Sequence, residues 1–230
     1  MTILPLRTAI AAPGADEILQ KSRAVYAALK TYTDSGVVDR EYGQVADPSH
    51  EHHTFHTAFR SPRKFLFDFV RAGNVDRYIA WGDGANFHSY WKSTGSTSDY
   101  PKGQGANAFL SGFSPTYTSI VKIAPWLFPG AGLVGTLTEF QPVSVAGTEK
   151  IDGHDCLKLV GKAQSVYGAT GHISDVRATS VWIDVQSFLV RRIFEDRTEG
   201  KVASRTTTSF DPRANPEIDD AVFQVTPPSH

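Results

Sequence analysis

The sequence is poor in cysteine and holds no long apolar run, and both absences narrow the possible classes of protein. Cys156 is the only cysteine among 230 residues, which excludes an internal disulfide and a zinc site built from several thiolates. We expect this thiol to be a small buried residue of a strand rather than a reactive group. No apolar run approaches the roughly 20 residues that a membrane-spanning helix requires.

An excess of one charge sign is also lacking. The 23 Lys and Arg residues nearly balance the 24 Asp and Glu residues, and the net charge is -1. The chain therefore lacks the basic character typical of nucleic-acid binding and the polybasic signal of membrane attachment. A nucleophile elbow, a glycine-rich phosphate loop before a helix and a paired-cysteine motif are missing as well. We predict that the protein is not an enzyme, with no catalytic residues, no cofactor and no nucleic-acid partner.

The N-terminal part predicts a flexible segment followed by one helix. Within residues 1–14, the stretch 8–12 has the small residues of a signal-peptide cleavage region, but the apolar stretch of a signal peptide is missing. The sequence leaves open whether an export signal has been removed. Asp16 is the predicted N-cap of a helix that runs to about Tyr32. Its residues Ile18, Val25 and Leu29 recur at helical spacing, so one face is apolar.

From Ser35 onward, apolar residues recur at every second position and no longer at helical spacing, which indicates strands. Aromatic residues are the one strong excess of the chain, with 14 Phe, 8 Tyr and 4 Trp, and many lie in these strands. Turn residues separate the strands, as in an antiparallel meander. The predicted strands of this first series are 36–44, 54–60, 64–71, 77–81 and 86–92, and a loop is predicted for 93–105.

The middle of the chain interrupts this rhythm. Residues 106–137 are apolar and carry short helical stretches broken by Pro115, Pro125 and Pro129. Such a segment must pack onto another surface, and we predict that it forms a helical lid over the sheet. Strand rhythm then resumes, with strands predicted at 138–147, 155–162, 178–184, 188–196, 202–210 and 221–225. Because no linker divides the chain, a single domain over residues 1–230 is expected.

Four short motifs, in this order and spacing, resemble the LolA/LolB-like superfamily of bacterial envelope proteins. They are Ser61-Pro62 before Phe65-Leu66-Phe67, Trp81-Gly82-Asp83-Gly84 before Ser89-Tyr90-Trp91, Val181-Trp182-Ile183-Asp184 before Leu189-Val190-Arg191-Arg192-Ile193, and Phe223-Gln224-Val225-Thr226-Pro227-Pro228. The resemblance extends from the first helix to the terminal prolines and is closer to an uncharacterised branch than to the lipoprotein carrier itself.

This resemblance implies a fold, a location and a function. The expected fold is α+β: a strongly curved antiparallel sheet forms an unclosed β-barrel, with the N-terminal helix and the helical lid on the concave side. The protein is expected to be a soluble periplasmic monomer that binds a hydrophobic ligand, the acyl chain of a lipid or lipoprotein, in a cavity between sheet and helices. The resemblance also implies a carrier role, with transient contact to a membrane or an envelope protein.

One position departs from the family pattern. In the lipoprotein carrier, the residue before the strand proline is an arginine that holds the empty form closed, whereas here it is Ser61. Arg60 and Arg63 are close in sequence, but neighbouring strand residues point to opposite faces, so neither simply replaces that arginine. The lid mechanism of the carrier is therefore not expected to transfer directly.

The aromatic residues of the strands and of the lid are the candidate ligand contacts, because each buries a large area with few rotatable bonds. Tyr78 and Trp81 are three apart on one strand, so at most one of them can line the cavity. Two alternatives remain: the rings are ordinary core, or the protein is a docking or sensory module whose cavity is filled by its own side chains. The predicted ligand contacts are Phe65, Phe67, Phe69, Tyr78, Trp81, Trp91, Trp126, Phe128 and Trp182.

The segment 50–56 contains four histidines. On a strand, His50, His52 and His56 share one face, and a pair of this kind can bind zinc. No further ligand is evident from spacing. We therefore favour a solvated surface and predict no metal site.

Overall fold

The computed structural model describes residues 13–71, 76–100, 122–129, 136–167 and 172–227. The elements in chain order are helix α1 (Ala15–Ala28), strands β1 (Thr31–Gln44), β2 (Asp47–Arg60), β3 (Lys64–Arg71), β4 (Arg77–Asp83), β5 (Phe87–Trp91) and β6 (Ser96–Tyr100), helix α2 (Ala124–Leu127), strands β7 (Phe140–Ile151), β8 (His154–Tyr167), β9 (His172–Asp184), β10 (Val190–Glu199), β11 (Val202–Phe210) and β12 (Arg213–Ala214), and a 3-10 turn (Asp220–Phe223). None of these helices is long and apolar enough to span a membrane.

Helix α1 buries one face and begins with acidic residues, as the sequence predicts. Ile18, Leu19 and Tyr26 are buried, and Asp16 lies in the first turn, where the helix dipole favours negative charge. The N-cap is Gly14 and not Asp16, and the helix ends at Ala28 and not near Tyr32. Because Tyr32 lies between two β-branched threonines, this stretch favours the extended backbone that opens β1.

The strands form one antiparallel sheet in the order β6-β5-β4-β3-β2-β1-β11-β10-β9-β8-β7, with the short β12 added to β1. The two outer strands, β6 and β7, do not pair with each other, so the curved sheet does not close into a barrel. Residues of α1 and α2 share one buried cluster with one face of the sheet, which we call the concave face. The predicted fold class, an unclosed antiparallel barrel with an N-terminal helix, is confirmed.

Two strand predictions are wrong. The predicted loop 93–105 contains β6, which pairs with β5 although its composition is that of a loop; an edge strand with one neighbour tolerates such residues. The predicted last strand at 221–225 is instead a 3-10 turn, capped by the Asp219 carboxylate, which accepts from the Ala221 N–H. Of the predicted lid at 106–137, α2 is described, whereas 106–121 and 130–135 lie outside the described residues. Most of the predicted flexible segment 1–14 also lies outside them.

The convex face is covered at one end by the chain that follows β12. Phe223 is buried, and Val225 packs against a cluster of Ile79, Trp81 and Tyr90. The guanidinium of Arg60 donates to the Asp220 carboxylate and to the Ile218 carbonyl oxygen. Arg60 therefore points away from the concave face and holds the C-terminal segment.

Candidate functional site

Eight aromatic side chains from four neighbouring strands line the concave face, and we call this surface the aromatic trough. The register places Phe55 of β2 opposite Phe69 of β3, Phe69 opposite Tyr78 of β4, and Tyr78 opposite Trp91 of β5. Because side chains alternate along a strand, these partners share one face. The members of the trough are Phe55, Phe59, Phe65, Phe67, Phe69, Tyr78, Phe87 and Trp91.

Close approach of the strands to these rings requires glycine at Gly36 of β1. The ring of Phe55 lies over Gly36 of β1, where an added Cβ would come within 2.2 Å of Phe55 Cζ. Phe55 also packs edge-on against Phe210, with ring centroids 5.5 Å apart. Glycine at this position lets the ring lie flat on the backbone of the neighbouring strand.

Helix α2 and the residue after it cover the trough. Trp126 is 1% exposed and packs against Tyr26 of α1, with ring centroids 5.6 Å apart. Phe128 packs edge-on against Phe59 at 5.0 Å and Phe65 at 5.4 Å. The trough and its cover are thus joined by edge-to-face contacts between rings, an arrangement that aromatic pairs prefer.

Seven of the nine residues predicted from the sequence as ligand contacts lie together on the concave side. Five belong to the trough and two to its cover, and all seven share one buried cluster or pack against it. They are Phe65, Phe67, Phe69, Tyr78, Trp91, Trp126 and Phe128.

Trp81 and Trp182 lie on the convex face, so the expectation that they line the same cavity is corrected. Trp81 is three residues from Tyr78 and stacks on His88 with ring centroids 5.0 Å apart. Trp182 packs with Ile151 and Cys156, and its Nε1–H donates to Glu149 at 2.7 Å. Strand alternation explains both positions, since each tryptophan is an odd number of residues from a concave neighbour in its strand. Cys156 is buried in this convex cluster, as predicted.

A polar group that was not predicted from the sequence lies at one end of the trough, and we call it the polar rim: Arg40, Glu51, His53 and Arg71. His53 is 1% exposed, and its ring lies 5.0 Å from that of Phe69, centroid to centroid. Arg71 Nη2 donates to Glu51 Oε1 at 2.8 Å, and Arg40 Nη1 lies 3.5 Å from Glu51 Oε2. The alternation of side chains along residues 50–56 could have revealed this group. It places Glu51 and His53 on one face of the strand and the other three histidines on the opposite face.

The other three histidines share the convex face, as predicted. The ring Nδ1 of His52 lies 2.7 Å from Asp39 Oδ1, and that of His56 lies 3.2 Å from Ser35 Oγ. A groove of about 410 Å³, lined by Asp39, His50 and His52 among others, runs along this surface. In the described part of the chain, no three His, Cys, Asp or Glu side chains come together in a way that could hold a metal ion.

Two buried carboxylates also lie on the concave face. Asp34 of β1 is 2% exposed, and burial raises its pKa to about 7 although the Tyr32 hydroxyl donates to it. Burial also acts to raise the pKa of Glu195 on β10, but the charges of Lys122 and Arg177 outweigh this and leave that pKa lowered. Lys122 immediately precedes the residues that begin α2, so this ion pair connects the cover to the sheet.

The position that departs from the family pattern joins β2 to β3. The bond between Ser61 and Pro62 is cis. Arg63 extends over the ring of Phe87, with the guanidinium carbon 5.4 Å from the ring centroid, whereas Arg60 binds the C-terminal segment. Neither arginine makes a described hydrogen bond to α2.

Several solved structures are similar to this chain along most of its length. LprF from Mycobacterium bovis is 14% identical, covers 94% of this chain and 96% of its own, and has a TM-score of 0.47. The lipoprotein LppX from Mycobacterium tuberculosis is 17% identical, with coverage of 89% and 98% and a TM-score of 0.39. A LolA superfamily protein from Nitrosomonas europaea is 9% identical, with coverage of 92% and 98% and a TM-score of 0.34.

These likenesses concern the fold alone. A comparison with curated proteins finds no match. A family model matches residues 15–230, which is nearly the whole chain. The protein belongs to the family described as "Predicted periplasmic protein (DUF2092)", which places it in the periplasm.

Proposed function

We propose that the protein binds a hydrophobic ligand, the acyl chain of a lipid or lipoprotein, in the aromatic trough beneath α2, and acts as a periplasmic carrier. The observation that supports this proposal is the trough itself, in which eight rings from four strands form one continuous apolar surface. Such rings bind by removal of apolar area from water, so we expect loose selectivity among chains.

The length of the trough suits an acyl chain. From Phe59 to Phe55, the aromatic part of β2 advances four residues, or about 14 Å at roughly 3.4 Å per residue. One leaflet of a bilayer core is about 15 Å thick. The apolar part of the concave face is therefore about as long as a membrane acyl chain.

The ligand would take the place of side chains that now cover the trough. Seven of the eight rings of the trough are buried, with exposures between 0% and 6%. Helix α2 and Phe128 therefore have to move aside before a ligand can bind. Each buried methylene contributes about 0.8 kcal/mol and each large apolar side chain about 1.5–3 kcal/mol. About four to eight methylenes would therefore offset the lost burial of Trp126 and Phe128.

The same burial favours a second candidate function, a docking or sensory module with a filled interior. In that case the rings are only core, and no lipid enters. The two candidates differ in one measurable property, the uptake of an apolar chain.

Native mass spectrometry of protein purified from a bacterial periplasm without detergent, followed by lipid extraction, tests the first candidate. We expect a co-purifying lipid and saturable uptake of a dansyl-labelled undecanoic acid. Absence of both would exclude the carrier function and favour docking.

A matched pair of variants localises the uptake. Trp91 is half-buried in the trough and packs against Tyr78, with ring centroids 4.8 Å apart. Phe194 is partly buried on the convex face, against Trp182. We expect Trp91→Ala to weaken binding of the dansyl probe about tenfold and Phe194→Ala to leave it nearly unchanged. Equal effects of the two variants would contradict binding in the trough.

A further inference from the structure

The concave face changes from apolar to polar along β2. From Phe59 the residues of this face continue through Thr57 and Phe55 to His53 and Glu51. His53 lies opposite Arg71 of β3, and Glu51 lies opposite Arg40 of β1. The polar rim thus follows directly on the last aromatic row of the trough.

Positive groups outnumber negative ones in the polar rim. One carboxylate, that of Glu51, faces the guanidinium groups of both Arg71 and Arg40, at 2.8 Å and 3.5 Å. Two cations and one anion leave one positive charge in the cluster. Arg71 and Arg40 are 45% and 32% exposed at their side chains, whereas Glu51 is 12% exposed, so the cations remain reachable from solvent.

Within the described ranges, the buried imidazole of His53 has no hydrogen-bond partner. Its Nε2 lies 3.5 Å from Glu51 Oε2, and neither ring nitrogen makes a hydrogen bond to any described residue. An unpaired buried polar group costs free energy. A ligand oxygen that accepts a hydrogen bond from His53 would remove this cost.

We propose that the polar rim binds the anionic head group of an amphiphile whose acyl chain lies in the aromatic trough. This inference rests on the proposed function and assigns its ligand class. Arg71 and Arg40 bind the anionic oxygens by charge-assisted hydrogen bonds, and His53 donates a further hydrogen bond. Glu51 holds the two guanidinium groups in place and competes with the ligand for them.

A carboxylate and a phosphate share this chemistry, and they correspond to a free fatty acid and to a phospholipid. Three single-chain probes of equal length separate them: hexadecanoate, hexadecyl phosphate and hexadecanol, each measured by displacement of the dansyl probe. We expect at least one of the anionic probes to bind about tenfold more tightly than hexadecanol. The tighter of the two identifies the head group.

Variants of the rim give effects of opposite sign, which a structural role would not produce. Arg71→Met should weaken the preferred anionic probe about tenfold, and Glu51→Gln should tighten it by removing the competing carboxylate. Both should leave hexadecanol binding nearly unchanged. Arg77→Met is the matched control, because Arg77 forms a similar ion pair with Asp68 on the convex face.

His53→Phe supplies a readout in which stability and binding separate. Replacing a buried imidazole without partners by a ring of similar shape should not destabilise the fold, yet it should weaken the anionic probe. The head-group assignment would be overturned if the three probes bound equally well and if Arg71→Met and Arg77→Met had equal affinities for them. Binding of the acyl chain would not be affected by that result. Failure of every probe to bind would overturn chain binding as well.

Discussion

Asp34 is a buried acid whose surroundings raise its pKa. The Tyr32 hydroxyl donates to its Oδ2 at 2.7 Å, and Oδ1 has no hydrogen-bond partner within the described structure. Burial is the largest influence and raises the pKa from 3.8 to about 7. The folded protein therefore binds a proton that the unfolded chain releases at any pH between these two values.

Replacing Asp34 by Asn should remove a pH dependence of stability. Because the pKa of Asp34 is raised, the contribution of this residue to the stability of the unmodified protein is greatest below pH 3.8. That contribution decreases as the pH rises towards about 7. We compare the free energy of unfolding of Asp34→Asn with that of the unmodified protein at each pH. We expect this difference to favour the variant more at pH 8 than at pH 5, by a few kcal/mol at most. Urea denaturation at both pH values measures the difference. The exposed Asp16→Asn is the control, and equal pH slopes for the two variants would contradict the expectation.

At the scale of elements, α2 and the residues beside it connect the two halves of the sheet. Lys122 forms a buried ion pair with Glu195 of β10, which also accepts from Thr136 Oγ1 at 2.8 Å and lies 3.2 Å from Arg177 of β9. Phe128, on the other side of α2, packs on β2 and β3. The cover is thus anchored by charge at one end and by aromatic contacts at the other.

Replacing one partner of this ion pair should lower the free energy of unfolding more than replacing both partners by apolar residues. Lys122→Met leaves Glu195 buried with less compensation, and we expect a loss of about 3–5 kcal/mol in the free energy of unfolding. The double variant Lys122→Met with Glu195→Leu should recover a large part of this loss, because two apolar side chains need no partner. Urea denaturation measures all variants. The control is Lys150→Met, which breaks an exposed pair with Asp155 and should lower the free energy of unfolding by less than about 1 kcal/mol. An equally small decrease for Lys122→Met would contradict the role of the buried ion pair as an anchor.

At the scale of the whole molecule, β1 and α1 join the two halves of the sheet. β1 pairs with β2 on one side and with β11 on the other. Helix α1, which precedes β1, contacts the far half: Ser22 Oγ donates to the Phe188 carbonyl at 2.7 Å, and the Tyr26 hydroxyl accepts from the Val190 N–H at 3.1 Å. The N-terminal helix therefore stabilises the start of β10.

Loss of the Tyr26 hydroxyl should affect both halves together. Tyr26→Phe leaves the buried Val190 N–H without a partner, at a cost of about 1–3 kcal/mol. Because one continuous sheet unfolds cooperatively, amide hydrogen exchange measured by mass spectrometry should become faster in β3 and in β9. Tyr42→Phe, whose hydroxyl makes only a long contact of 3.4 Å to Glu51, is the control. Faster exchange confined to β9 and β10 would show that the halves open separately.

Much of the fold was predictable because strand periodicity is a local property. The predicted bounds of β3 and β11 agree with the structure, and the alternation of Phe65, Phe67 and Phe69 placed them on one face. The errors occurred where composition and context disagree: β6 is built from polar residues, and the C-terminal segment is held by Arg60 from a distant strand. Such contacts between residues far apart in sequence leave no periodic signal.

The sequence by itself determined which residues share a face, since the side-chain period of a strand is two. It therefore separated Tyr78 from Trp81, and His53 from His52. Which of the two faces is concave was decided only by the tertiary structure, because strand order, curvature and the position of α1 and α2 depend on pairings across the chain. For the same reason Trp81 and Trp182 lie outside the trough, and Arg40, Glu51, His53 and Arg71, which come from three strands, meet at its polar end.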